Sequence, residues 1–126
     1  MKLAPEDLND LALERLGVEA ASLISAGSLH SLHAQFGYAL AFNRDPIEAL
    51  AEDVAATLAE VGASGFGDPS QSCAKVKHFE PNEIGLSRLV ECLLPTNNGK
   101  HLLVELVVSA TGSEAHLTLE QVSATA

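Results

Sequence analysis

The chain is short of positive charge. Seven Lys and Arg stand against 17 Asp and Glu in 126 residues, a net charge of −10 with a pI near 4.7. A surface of that sign repels phosphate backbones and anionic lipid, and nucleic-acid binding depends on neutralising phosphates, so no nucleic-acid partner is expected. Cysteine is scarce too: Cys73 and Cys92 form no CxxC pair and are too few for a secreted disulfide scaffold. Two reduced thiols are expected, Cys92 buried in a strand. No apolar run approaches the roughly 20 residues that span a bilayer. The opening MKLAPEDLND carries Pro5, Glu6, Asp7 and Asp10 where a signal peptide needs an apolar stretch. The expected location is therefore cytoplasmic, with no membrane partner.

Chemical signatures are missing as well. Gly65-Phe66-Gly67 is followed by neither a third glycine nor the Lys-Ser/Thr of a phosphate cradle, so it reads as a flexible turn. Nothing marks a cofactor site, and none is expected. Of the five histidines, His30 and His33 are three apart and could share a helical face, with His78, His101 or His116 completing a site. No HExxH-type signature accompanies them and the spacing lapses if the segment is a strand. They are read as surface or half-buried histidines, and no metal is expected.

What is present is a globular chain, 47% hydrophobic despite its charge. Its length suits one domain that buries roughly two thirds of its unfolded surface. Residues 1–126 are read as a single α+β domain, helical to about 62, a flexible loop over 63–73 and an antiparallel sheet over 74–123. Pro5 to Gly17 predicts a helix with Pro5 and two acids in its first turn; Leu8, Leu11 and Leu16 share a side, Leu13 lies at its edge, and Gly17 is the stop. A second short helix is expected over Val18–Ala26, ended by Gly27.

Leu29, Leu32, Phe36 and Leu40 fit a helical period, but Leu32, Ala34, Phe36, Tyr38, Leu40 and Phe42 alternate without a break, which predicts a strand from about 32 to 42. Asp45, Pro46 and Glu48 are a helix start: cap, proline at the first position, and an acid three residues after the cap. Ile47, Leu50, Val54, Leu58 and Val61 then form one stripe to Gly62, giving a helix over 46–61. Strands are predicted over Ala74–Glu80, Ser87–Leu94, His101–Ser109 and Ala115–Ser123, with Asn98-Gly99 as a tight hairpin turn.

Two features stand out against this frame. The third helix carries Glu48, Glu52 and Glu60 at multiples of four with Asp53 alongside, and no Lys or Arg lies between Arg44 and Lys75. The first helix repeats the pattern with Glu6, Asp10 and Glu14, relieved only by Arg15. Like charges at i and i+4 oppose helix formation, and a face made only for solubility would mix signs. Glu48, Glu52, Asp53, Glu60, Asp10 and Glu14 are thus the candidate docking residues for a basic protein partner.

The second feature is the strand LLVELVV. Leu102, Val104, Leu106 and Val108 make one apolar face, and Leu103 and Val107 make the other nearly as apolar around Glu105. Either the N-terminal helices or a second copy of the chain must cover that second face; in a homodimer, Leu103 and Val107 would be its surface. Glu91 and Glu105 are expected to face one another if the hairpin register allows.

The expected function is a small acidic protein-binding module of inhibitor, immunity or chaperone type that meets a basic surface through its helices. The alternative is a pocketed α+β domain that binds or transforms a small molecule, with His33, Tyr38, His101 and Glu105 as the groups to inspect. No group is singled out as catalytic.

Overall fold

Strand pairing organises the chain, and the helices cover one side of the result. The computed structural model describes residues 1–125. Its elements are β1 (Lys2–Leu3), α1 (Asp10–Ser25), α2 (Leu29–Phe36), α3 (Pro46–Glu60), β2 (Cys73–His78), β3 (Leu86–Pro95), β4 (His101–Thr111) and β5 (Glu114–Ala124), with short 3-10 turns at Pro5–Asp7, Ala39–Ala41 and Pro69–Gln71. The fold is a mixed α+β one, with an antiparallel sheet ordered β1-β5-β4-β3-β2.

The predicted strands over 74–123 are present to within a few residues at their ends, because each alternates on at least one face, in β5 as far as Leu119. Gly99, at φ +81°, takes the positive φ its turn demands. In β5 the apolar spacing changes from two to three: Leu119 pairs with Leu106 and Val122 with Val104, and a bulge between them lets both point to the same side. The early strand of the fold is β1, which lies beside β5 through Lys2↔His116 and Leu3↔Ala115. The Met1 amino group donates to the Leu117 carbonyl at 2.8 Å.

The segment from 32 to 42 is not the strand its alternation suggests. Leu29–Phe36 is helical, with Leu32 and Phe36 buried one turn apart, and Gly37 at φ +73° ends it and turns the chain into the 3-10 piece at Ala39–Ala41. A spacing of four satisfies both periods, and the backbone conformation at Gly37 decides between them.

Gly17 does not stop the first helix either. α1 is continuous from Asp10 to Ser25, capped by the Asn9 side chain, which accepts from Ala12 N at 2.9 Å. Gly17 sits at its contact with β3, where a Cβ would lie 2.8 Å from Val90 Cγ1. The glycine is an approach residue that lets helix and sheet touch. The helical phase shifts accordingly: Leu13, Gly17, Ala20, Ala21 and Ile24 are buried, and Leu11 is 59% exposed.

α3 begins as expected. Asp45 accepts from Ile47 N and Glu48 N at 2.9 and 3.0 Å, with Pro46 at the first position. Leu50, Val54 and Val61 are buried, Ile47 and Leu58 half-buried. α1 packs on β2, β3 and β4, α3 packs on β5, and α2 touches both α1 and α3. One apolar core joins these helices to Val90, Cys92, Leu94, Leu102, Val104, Leu106, Val108, Leu117, Leu119 and Val122 on the facing side of the sheet. Among the described residues no helix is long and apolar enough to cross a membrane.

Candidate interaction surfaces

The acidic residues occupy the outside of the helices, and the structure divides them into engaged and unengaged groups. Arg44, leaving the turn before α3, donates to Asp53 through Nη1 and Nη2, both at 3.1 Å, reaches Glu52 at 3.4 Å and donates to the Leu40 carbonyl at 2.7 Å. The Tyr38 hydroxyl donates to Asp53 Oδ2. Arg44 beside it holds the Asp53 carboxyl below its ordinary range, and burial with the Asp53 contact raises the Tyr38 phenol. Asp53 and Glu52 therefore pin residues 38–44 against α3.

Asp10 makes an analogous tie, its Oδ1 lying 2.8 Å from His78 Nε2 at the end of β2. Glu48 and Glu60 on α3 are exposed, Glu14 on α1 is half-buried, and none makes an ion pair among the described residues. Residues 1–72 hold 11 of the 17 acids and only Lys2, Arg15 and Arg44 of the bases.

Beside these acids lies a residue that sequence reasoning missed. Phe42 is 79% exposed and sits at φ +52°, the one non-glycine at positive φ among the described residues. A side chain at such φ costs on the order of 1 kcal/mol or more. Its place in an apparent alternation concealed it; its one sequence signal is an aromatic immediately before the Asn43–Pro46 turn.

The other broad surface is the face of the sheet turned away from the helices. The strand register brings Leu93 of β3 beside Leu103 of β4, and Leu89 beside Val107. All four are half-buried, and among the described residues no helix packs on that side. Glu91 and Glu105 pair directly across β3 and β4, between the two apolar rows. Lys77 on β2 reaches Glu91 at 2.9 Å, and Lys75 is the register neighbour of Glu91 on the same strand. Burial raises the Glu105 carboxyl, with the charges of Glu91 and Glu120 acting in the same direction and Lys77 against them. A groove of about 370 Å³ runs over this face between Lys75, Lys77, Glu91, Leu93 and Leu103, with Cys73 at its edge.

The four groups considered for a pocket do not converge. His33 lies on α2 and Tyr38 against α3, both in the helical layer, whereas Glu105 is on the opposite face of the sheet and His101 begins β4. His101 instead joins Glu60 and Lys100 around a concavity of about 560 Å³ at one end of the sheet. The five histidines are dispersed, and no group of three or more potential metal ligands occurs among the described residues. Cys92 is buried under the helices with its thiol pushed up to about 12, chiefly by burial, the wrong direction for a nucleophile. Cys73 is exposed.

No protein-family model, curated protein or solved structure matches the chain.

Proposed function

We propose that the protein is a non-catalytic binding module that meets a basic protein surface through the outside of its helices, with Phe42 as the apolar anchor and the acids of α3 as the rim. The exposed Phe42 ring at positive φ carries this reading. A side chain held in a costly backbone conformation and left in water needs a reason outside the isolated chain, and aromatic anchors dominate interface energetics. The surroundings support it: Arg44, Glu52 and Asp53 fix the segment that presents the ring, and Glu48, next along α3 from the Asp45 cap, is free to face positive charge. Opposite potentials would speed encounter, and the buried ring would set the lifetime of the complex.

The test separates these two contributions. The wild type and the variants Phe42→Ala and Glu48→Lys/Glu60→Lys are immobilised and exposed to cell extract at low and high salt. A protein retained by the wild type, released by salt and by the charge reversal, and lost with Phe42→Ala supports the reading. Equal retention by all three chains overturns it. Glu52 and Asp53 are kept intact because they hold the loop.

A further inference from the structure

The open face of the sheet carries half-buried aliphatic side chains, and its size and charge point to one occupant. Strands β3, β4 and β5, with 10, 11 and 11 residues, and the shorter β2 lie side by side. At about 4.8 Å between strands and about 3.4 Å per residue they present roughly 600 Å² in projection. Accessible area exceeds projected area, so full cover reaches about 800 Å² per partner, the size of a standard stable interface.

Charge then narrows the choice. A chain of net charge −10 repels its own copies, and most of that charge lies in residues 1–72. The open face is different: Lys75 and Lys77 nearly balance Glu91, Glu105 and Glu120. It is the broad surface on which two copies can meet with the least like-charge repulsion.

The charges are also laid out in a self-complementary way. Lysines occupy the β2 flank, Glu120 the β5 flank, and the two leucine-rich rows run between them. We infer that a second copy of this chain covers the open face, in a two-fold sandwich whose axis runs along the strands between β3 and β4. That axis lays β3 on β4 and β2 on β5. Leu93 meets Leu103 of the second copy and Leu89 meets its Val107. Lys75 comes over its Gln121 and Glu120, and Glu105 meets a Glu91 that Lys77 already neutralises. The same patch serves both copies, as a two-fold interface requires. The inference does not depend on the Phe42 surface, which lies on the other side of the molecule.

The experiment is sedimentation in reductant from submicromolar to about 100 µM protein, covering the affinities of ordinary interfaces. The expected species is twice the 13.2 kDa of one chain. Leu103→Lys should give a monomer with an unchanged far-ultraviolet spectrum. Lys75→Glu and Glu120→Lys should each weaken association at least tenfold, and the two together should restore it. Alkylation of Cys73 should be slower in the dimer than in the Leu103→Lys monomer.

If Leu103→Lys fails to fold, the exposed Lys75→Glu variant carries the test. A monomer at every concentration overturns the inference. So does a dimer that survives Leu103→Lys with Cys73 fully reactive, since that dimer uses an edge or the helices. Loss of association in both charge variants without recovery in the double variant overturns the proposed axis.

Discussion

The outside of the helices and the bare face of the sheet differ in charge and apolar area, and in opposite senses. On the helical side, among the described residues, Glu48, Glu60 and Glu14 make no ion pair and the large ring of Phe42 faces water. On the sheet, Lys75 and Lys77 lie among the acids and four aliphatic side chains share one surface. Dense charge of one sign acts at a distance and is screened by salt within about 8 Å at physiological ionic strength, whereas apolar area acts only on contact and is insensitive to screening. One small domain thus offers two surfaces that respond to different conditions. Raising the salt should weaken contacts on the helical side more than those on the sheet side.

The largest expected effect separates the two faces of the sheet. Leu50 is fully buried between α3 and the sheet, and Leu50→Ala should cost about 2 to 5 kcal/mol in urea unfolding. Leu103→Ala, studied in a chain kept monomeric by dilution, should cost under about 1.5 kcal/mol because Leu103 is only half-buried there. Equal costs would mean that both faces are covered within one chain.

Next is Gly17→Ala. Helix propensity favours alanine by roughly 1 kcal/mol, but the new methyl would meet Val90 Cγ1 at 2.8 Å on a stiff, buried side chain. Overpacking should win by about 1 kcal/mol, whereas in a Val90→Ala background, itself destabilised by the lost buried methyls, Gly17→Ala should be stabilising. A stabilised single variant would show that α1 can lift from the sheet at no cost.

Acid tests the helical side. Arg44 lowers the Asp53 carboxyl in the folded chain, so its contribution is present above the ordinary value of 3.8 and is lost as the pH falls through the lowered one. Asp53→Asn should melt about 2 to 4 °C lower at neutral pH, a modest shift once solvent screening is allowed for. The gap to wild type should close at lower pH.

Glu105 on the sheet face has the opposite sign and the smallest expected effect. Its folded value is raised above 4.5, so the folded chain holds that proton more tightly, and stability falls as the pH rises through the raised value. Glu105→Gln should therefore melt slightly higher than wild type at pH 7 and no higher at pH 4. A lower melting temperature at pH 7 would mean that Lys75 or Lys77 outweighs burial at this site.

Much of this architecture was legible because it depends on local pattern. Asp45, Pro46 and the stripe through Leu50 and Val54 specify α3 without reference to the rest of the chain, and the alternation in β3 and β4 specifies their buried rows. The two-sided apolar strand was legible too, whereas the Glu91–Glu105 pairing depended on a hairpin register that the sequence left open. What was not legible depends on distant contacts or on backbone angles. Gly17 reads as a stop until Val90 is brought against it. The alternation through Leu32 and Phe36 cannot reveal that Gly37 turns the chain at positive φ, or that Phe42 takes a positive φ of its own and stays exposed after the 3-10 piece. The acids of α3 were visible as a group, but their division into those that hold Arg44 and those that are free needed three dimensions.

The edge pairing of Lys2 with His116 also sets a schedule for the chain as it is made. The three helices are synthesised first, yet the apolar surface they cover is formed by strands that follow residue 72. β1 cannot find its place until β5 exists, more than a hundred residues later. At about 5 to 20 residues per second, the leading strand waits roughly 6 to 25 s for its neighbour. During that interval the apolar stripes of α1 and α3 have no sheet to rest on, so the nascent helical segment is the stage at which this protein is most open to capture by chaperones or to wrong association.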